Sequence, residues 1–253
     1  MLYLVLILIF STVLIITIQR GKKFKKESEI VEFPAEWVEY MKKHVKFYNK
    51  ITPDEQEKFK SRVLRFINST RIIGYAGMPI TDIDKLLVGV SAIIPIFRFS
   101  NWEYNFLHEV ILVPKAIPGK GAYKGSYING LVGDGAMEGR MILAKTALHH
   151  GYSNTTDRIN VGVHEFAHIV DKQDGEIDGV PNILLDDSQI GPWVELIRTK
   201  SKEIKKKKAK INNYALTNDA EFFAVVTEYF FEHPEMMVKK HPELYRALEE
   251  IYS

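Results

Sequence analysis

The hydrophobic pattern separates an N-terminal segment from the rest of the chain. Residues 1–19 read MLYLVLILIFSTVLIITIQ and contain no charged side chain. About eighteen apolar residues in a helix span roughly 27 Å, close to the hydrocarbon thickness of a bilayer. A cleaved signal peptide is the alternative, but it needs a basic start, a shorter apolar core and a small-residue cleavage site. The pattern therefore predicts an uncleaved transmembrane helix over residues 1–19.

Basic side chains follow this apolar segment directly, at the start of a polar linker over residues 20–33. They are Arg20, Lys22, Lys23, Lys25 and Lys26. Positive residues beside a membrane span stay on the cytoplasmic side, and they attract anionic lipid headgroups. We therefore expect a single-pass protein of the inner (cytoplasmic) membrane, with its globular part facing the cytoplasm.

After the linker, apolar side chains recur with helical spacing in several segments. The clearest helix start is at Thr52, which is followed by Pro53 and by Glu55 as the partner in a capping box. Helices are predicted over residues 35–47, 53–67, 81–94, 160–171, 192–210, 219–232 and 234–251.

Two short runs rich in β-branched residues, 109–113 and 140–144, predict strands. Between them, the glycine-rich residues 117–138 predict turns and short strands. Residues 172–181 are rich in Asp and Gly, which predicts a loop. We expect these elements to form one domain over residues 34–253.

Composition and charge exclude several kinds of chemistry. The chain has no cysteine among its 253 residues, which excludes disulfides, thiolate metal ligands and a cysteine nucleophile. Its formal net charge of +2 gives no argument for nucleic acid as a direct partner. The lysine run at residues 205–208 is most simply a solvated helix face.

Residues 164–168 read HEFAH on a predicted helix. Positions i and i+4 of a helix lie one above the other, so the imidazoles of His164 and His168 can reach one zinc ion. Glu165 points about 100° away from His164. There it can reach a water beside the metal and act as a general base.

A pair of exposed histidines on a surface helix is the alternative for this motif. The surrounding residues argue against it, because they form an apolar stripe at helical spacing: Val163, Phe166, Ala167 and Val170. The helix is therefore packed, and its histidines border the core. Buried polar groups need a partner, and a cation suits two stacked imidazoles.

Residues 219–232 read DAEFFAVVTEYFFE, a helix so apolar that we expect it to be buried. Glu221 and Glu228 are the exceptions, and their spacing of seven puts them on one face. A buried carboxylate must be paired or bound to metal. We therefore predict Glu221 as the third zinc ligand and Glu228 as a partner of a ligand histidine. A salt bridge at a helix end is the alternative for each.

Two blocks of the chain resemble the Mlc titration factor A family of zinc peptidases. The blocks are VHEFAHIVDKQDGEIDGVP and YALTNDAEFFAVVTEYFFEHPE, with weaker similarity in HEVILVP and in the glycine-rich stretch before MILAKTAL. A more distant resemblance is to the catalytic domain of anthrax lethal factor.

The resemblance implies an α+β, zincin-like metallopeptidase domain with Zn²⁺ as its cofactor. The family's zinc ligands fall on His164, His168 and Glu221, and its catalytic glutamate falls on Glu165. It also implies aminopeptidase-like cleavage of short peptides, and binding to a transcriptional repressor of the Mlc type. In lethal factor a tyrosine stands seven residues before the third-ligand glutamate. Tyr214 has that position here, and is the predicted donor to the oxyanion; simple packing of its ring is the alternative.

Asp174 competes with Glu221 for the role of third ligand. It lies six residues after His168, where the HExxHxxGxxH pattern of metzincins places its last histidine. That pattern needs a glycine for a sharp turn at the position that Asp171 occupies in this chain. The sequence therefore favours Glu221.

Two functions other than catalysis remain open. One is a regulatory binding protein that captures a transcriptional repressor with little catalysis, but a pure binder has no use for Glu165. The other is a scaffold at the membrane surface with a structural zinc. Structural zinc sites usually close with four Cys or His ligands, and the sequence shows no fourth ligand of that kind.

Overall fold

A computed structural model describes residues 30, 32–99, 102–118, 127–128, 130–133, 137–153 and 159–253. The predicted membrane segment, residues 1–19, lies outside the described residues, as does most of the predicted linker, residues 20–33. No helix in the described ranges has both the length and the apolar character that crossing a membrane requires.

Helices dominate the described part of the chain, with a small sheet between them. The helices are α1 (Ala35–His44), α2 (Lys46–Lys50), α3 (Pro53–Ser69), α4 (Asp82–Ile96), α5 (Lys145–Ser153), α6 (Val161–Asp171), α7 (Asp187–Lys205), α8 (Asp219–Glu232), α9 (Pro234–Lys240) and α10 (Pro242–Ile251). The strands are β1 (Arg71–Gly74), β2 (Glu109–Val113), β3 (Ile117–Pro118), β4 (Tyr127–Ile128), β5 (Gly130–Val132) and β6 (Arg140–Ala144). The predicted α+β class is confirmed.

The main sheet has the strand order β1-β2-β6-β5. The first three strands are parallel, and β5 runs antiparallel to β6 with Leu131 opposite Ile142. Strands β3 and β4 form a separate antiparallel pair. In the main sheet β5 is therefore an edge strand, and it lies within the glycine-rich segment, residues 117–138, for which the sequence predicted turns and short strands.

The core consists of two clusters that meet at α6. Val163, Phe166 and Val170 of α6 belong to the cluster formed with α1, α3, α4 and the sheet. Ala167 faces the other way, into the cluster formed with α7, α8 and α10. Every residue of α6 is buried. The helix is thus packed, as its apolar stripe predicted, and the structure shows that both of its sides are covered.

Three predicted helices have different bounds in the structure. The predicted helix over residues 35–47 is divided at Val45, and the one over residues 234–251 is divided at His241, where the backbone leaves helical angles. His241 precedes Pro242, and a residue before proline is disfavoured in the helical region. The predicted helix over residues 192–210 begins earlier and ends at Lys205, since Lys207 has a positive φ of 55°.

Candidate metal centre

The histidines of the HEFAH segment lie on one face of α6. Their Nε2 atoms are 3.2 Å apart, and both side chains are largely buried. Asn160 begins the helix, because its side-chain Oδ1 accepts a hydrogen bond from the backbone N–H of Val163 (3.2 Å). One turn of helix then brings His164 and His168 together, as positions i and i+4 require.

Helix α8 packs against α6 and brings a carboxylate to the two imidazoles. Oε2 of Glu221 lies 3.0 Å from Nε2 of His164 and 3.4 Å from Nε2 of His168. One ligand atom from each of the three residues fits within 4.8 Å of the others, which is close enough to hold a metal ion. Asn218 caps α8 and accepts a hydrogen bond from the backbone N–H of Glu221 (2.8 Å).

The donor set fits a metal ion because of the way His164 is held. Nδ1 of His164 lies 2.6 Å from Oε1 of Glu228, a carboxylate oxygen that can only accept when ionised. The proton of a neutral His164 ring is therefore on Nδ1, and Nε2 presents a lone pair to Glu221 and His168. Lone pairs on two imidazoles and a carboxylate that converge in this way need a cation between them.

The electrostatics of the centre also favour a positive charge. Burial alone would lower the pKa of His164, but the carboxylates of Glu228 and Glu221 outweigh burial and raise it well above its usual value. Burial would likewise raise the pKa of Glu221, yet hydrogen bonds to His164 and His168 hold it far below its usual range. A proton or a metal ion between the imidazoles would neutralise part of the negative charge of Glu221 and Glu228.

Glu228 and Asn160 support the centre from the side opposite the ligand atoms. Oε2 of Glu228 accepts a hydrogen bond from the backbone N–H of Asn160 (2.8 Å). The side-chain amide of Asn160 donates to Oε1 of Glu232 (2.8 Å). The predicted contact of Glu228 with a histidine of the motif is present. The roles of Asn160 and Glu232 were missed, although an Asn just before the apolar helix is a typical capping signal.

Glu165 lies outside the group of ligand atoms, on the side of α6 that faces β5. Its carboxylate is buried, and burial raises its pKa above the usual value. A β-carbon added to Gly130 of β5 would stand 2.4 Å from Oε1 of Glu165. The edge strand therefore passes directly against this carboxylate.

Tyr214 lies in a short 3₁₀ turn, Asn213–Leu216, that leads into α8. Its hydroxyl donates to Oε1 of Glu221 (3.2 Å), and its ring lies 5.9 Å from the ring of His164. The side chain is about half exposed. Burial and then the charge of Glu221 raise the pKa of Tyr214 to about 12. The hydroxyl therefore keeps its proton near neutral pH and remains a donor.

Asp174, the competing third ligand, does not join the group. It lies in the turn after α6, where its carboxylate contacts the side-chain amide of Asn182 and accepts from the backbone N–H of Glu176 (3.0 Å). Within the described ranges, the residues that could hold a metal ion together are His164, His168 and Glu221. Their roles as ligands stay predictions.

Comparison with known proteins identifies relatives of this chain. The model of the glucose-regulated metallo-peptidase M90 family matches residues 18–253. An uncharacterized protein of Synechocystis sp. is 27% identical, with 87% of this chain and 84% of that protein covered. Proteins of Pectobacterium atrosepticum and Klebsiella pneumoniae named Mlc titration factor A are each 25% identical, with 80% of both chains covered.

These matches confirm the resemblance to the Mlc titration factor A family that the two sequence blocks predicted. The matched region includes α6 and α8, the two helices that carry the candidate metal centre. The fainter likeness to lethal factor stays a prediction. Because the family model spans nearly the whole sequence, the chain belongs to the glucose-regulated metallo-peptidase M90 family.

Proposed function

We propose that this protein is a zinc-dependent peptidase with a zincin-like catalytic domain. The observation that carries the proposal is the convergence of three ligand atoms beside a buried carboxylate. The ligand atoms of His164, His168 and Glu221 lie within 4.8 Å of one another. Glu165 follows His164 directly but points to a different side of the helix, where it can serve as a base instead of a ligand.

His164, His168 and Glu221 would hold the zinc ion. Zinc bound there would lower the pKa of a water molecule to about 7 and would polarise the carbonyl of the scissile bond. Glu228 keeps the proton of His164 on Nδ1, which leaves Nε2 free to act as a ligand. Three protein ligands are typical of catalytic sites, which keep a position open for water or substrate.

Glu165 would act as general base and then as general acid. It accepts a proton from the attacking water and later delivers that proton to the leaving amine. Its raised pKa, caused first by burial, makes it a better base than an exposed glutamate. The Tyr214 hydroxyl, at the open side of the site, would donate a hydrogen bond to the oxyanion of the tetrahedral intermediate.

Aminopeptidase-like activity on short peptides is the finer form of this proposal. Its support is the resemblance of the two sequence blocks to the family. A second candidate function is the capture of a transcriptional repressor, with little catalysis. The name of two relatives, Mlc titration factor A, favours it. The buried Glu165 beside the ligand atoms favours the enzyme, since capture needs no base.

The test of the peptidase is the variant Glu165→Gln. We expect purified protein to bind about one equivalent of zinc and to cleave members of a panel of short peptides. Glu165→Gln should keep zinc, because Glu165 is no ligand, and should lose hydrolysis, because an amide cannot act as a base. Wild-type turnover in this variant would remove Glu165 from the mechanism. Zinc binding without any cleavage by the parent would favour the capture function.

We also propose that residues 1–19 anchor the protein in the inner membrane with the catalytic domain in the cytoplasm. The support is the uncharged apolar run and the five basic residues that follow it. Deletion of residues 1–20 should release the protein in soluble form, and a reporter fused after Ser253 should behave as cytoplasmic. A reporter signal from outside the cytoplasm would overturn this topology.

A further inference from the structure

The last residue of α6 makes a contact that the peptidase mechanism does not use. Asp171 is fully buried, and its Oδ2 accepts a hydrogen bond from the backbone N–H of Gly179 (2.8 Å). Its Oδ1 is also buried and has no hydrogen-bond partner in the described part of the chain. A buried carboxylate is unfavourable unless it is well bonded. Filling space at this position would not require an acid, whereas holding the N–H of Gly179 requires an acceptor.

Gly179 is held from a second direction by α7. Its carbonyl accepts a hydrogen bond from Nε1 of the buried Trp193 (2.8 Å). The Trp193 ring in turn packs edge-on against Phe222 and Phe223 of α8, with ring centroids 6.4 and 6.1 Å away. The backbone of Gly179 therefore connects α6, which supplies its acceptor, with α7, which supplies its donor.

Gly179 also lies directly against the first turn of α8. Its φ is +84°, a backbone conformation that residues other than glycine rarely adopt. A β-carbon there would stand 2.3 Å from the backbone oxygen of Asp219 and 2.9 Å from the backbone nitrogen of Ala220. Ala220 precedes Glu221. The position of Gly179 thus limits how closely the start of α8 can approach α6.

We propose that Asp171 is a positioning residue for the metal centre. Its carboxylate fixes the backbone of Gly179, and Gly179 sets the first turn of α8, so that Glu221 stands at the correct distance from His164 and His168. This inference rests on the proposed metal site. In this proposal the contacts from Asp171 to Gly179 and from Gly179 to the start of α8 link α6, which carries His164 and His168, to α8, which carries Glu221. This link is separate from the direct contacts among the three ligand residues.

The link is effective because metal coordination tolerates little displacement. Protein ligands of zinc lie within about 0.2 Å of their preferred distances. A β-carbon at residue 179 would stand too close to the backbone oxygen of Asp219. Rotating a side chain could not relieve this contact, because both atoms are fixed to the backbone. A β-carbon at residue 179 must therefore move either the loop or the start of α8, and with it Glu221.

The test measures zinc affinity in the full-length chain, by competition with a chromogenic chelator, alongside urea unfolding of the metal-free protein. The variants are Asp171→Ala, Asp171→Asn and Gly179→Ala. Asp171→Asn keeps an oxygen that can accept from the N–H of Gly179 but removes the charge. The control is Tyr104→Phe, which removes one buried hydrogen bond, from the Tyr104 hydroxyl to the Ala92 carbonyl (2.7 Å), in the other core cluster.

We expect Gly179→Ala and Asp171→Ala to weaken zinc binding by about 10–100-fold, the usual effect of altering residues that support metal ligands. Asp171→Asn should stay within about threefold of the parent, because the acceptor is retained. Tyr104→Phe should lower stability without changing zinc affinity. If Asp171→Ala fails to fold, Gly179→Ala still tests whether the backbone of residue 179 positions Glu221, and Asp171→Asn still tests whether the charge of Asp171 is needed.

Two results would overturn the link. If either Gly179→Ala or Asp171→Ala folds and binds zinc as tightly as the parent, Asp171 does not position Glu221 through the backbone of Gly179. If Asp171→Asn loses as much affinity as Gly179→Ala, the charge of Asp171 matters and its hydrogen bond does not. A parent protein that binds no zinc would overturn the metal site itself, and the link with it. The two failures are therefore distinguishable.

Discussion

The α-carbon of Gly130 lies against the carboxylate of Glu165. A β-carbon at residue 130 would stand 2.3 Å from Cγ and 2.4 Å from Cδ of Glu165, closer than unbonded atoms can lie. Gly130 is the first residue of the edge strand β5, and Glu165 is buried on α6. The lack of a side chain at residue 130 is thus what allows the sheet edge to pass directly beside the proposed general base.

The variant Gly130→Ala should therefore lower peptidase turnover and leave zinc binding nearly unchanged. The added methyl group must displace the carboxylate of Glu165 or the strand, and a displacement of about 1 Å at a reacting group can reduce the rate about 100-fold. Turnover on a cleaved peptide and zinc affinity should be measured together.

Gly191→Ala is the matched control for this variant. Apart from its chain neighbours and the backbone of its own helix, a β-carbon at Gly191, in α7, meets no atom of the described residues within 4 Å. That exchange should preserve turnover, because the added methyl group meets no other part of the described structure. If Gly130→Ala cleaved peptides as fast as Gly191→Ala, the close contact with Glu165 would have no role in catalysis.

The elements that carry the metal centre were predictable because their signals are local. The apolar stripe predicted a helix over residues 160–171, and in the structure α6 spans Val161–Asp171. The apolar run with Glu221 marks α8 over Asp219–Glu232, as predicted. The spacing of His164 and His168 likewise predicted that they share a face. Each of these inferences needed only the period of a helix.

What the sequence did not predict depends on contacts between distant segments. The approach of Gly130 to Glu165 joins residues 35 positions apart through the pairing of an edge strand. Asn160 donates to Glu232 only because α6 and α8 are packed together. The helix α5 was also missed. The strand β1 was missed because its four residues give too short a pattern to recognise.

The variant Tyr214→Phe should slow hydrolysis without loss of zinc or of folding. It removes the hydroxyl of a half-exposed residue, which donates a hydrogen bond to Glu221. Removal of one donor to an oxyanion costs about 2.7–4 kcal/mol of transition-state stabilisation. Steady-state turnover, zinc content and the urea midpoint should be compared with the parent. An unchanged rate would assign Tyr214 to packing alone.

The buried Asp171 should make the stability of the metal-free protein depend on pH. Burial raises the pKa of Asp171 to about 7 in the folded protein, from an ordinary value of 3.8. Between those values the unfolded chain has released this proton and the folded chain still holds it. The free energy of unfolding must therefore fall as pH rises from about 4 to 7, by up to about 1.4 kcal/mol per pH unit.

Asp171→Asn isolates this contribution, because an amide does not titrate in that range. The stability of the variant relative to the parent should increase from pH 4.5 to 7 and then level off. Urea unfolding in the presence of a chelator, at several pH values, measures the difference. Parallel pH profiles for the two proteins would show that Asp171 ionises as readily when folded as when unfolded.

The third zinc ligand can be assigned by comparing two carboxylates. Glu221 lies 3.0 and 3.4 Å from the imidazole nitrogens of His164 and His168. Asp174 lies in the turn after α6, and its carboxylate contacts Asn182 and the backbone of Glu176. Loss of Glu221 would leave two imidazoles, whereas loss of Asp174 would leave every atom of the group in place. Glu221→Ala should therefore lose most of its zinc affinity.

Asp174→Ala should keep that affinity within about twofold, although it removes turn contacts and lowers stability by roughly 0.5–1.5 kcal/mol. Zinc titration of both purified variants against the same chelator gives the comparison directly, and circular dichroism shows that each is folded. Should Asp174→Ala be the variant that empties the site, the ligand would come from the loop after α6. The contact of α8 with α6 would then serve packing, and the coordination would resemble the metzincin pattern.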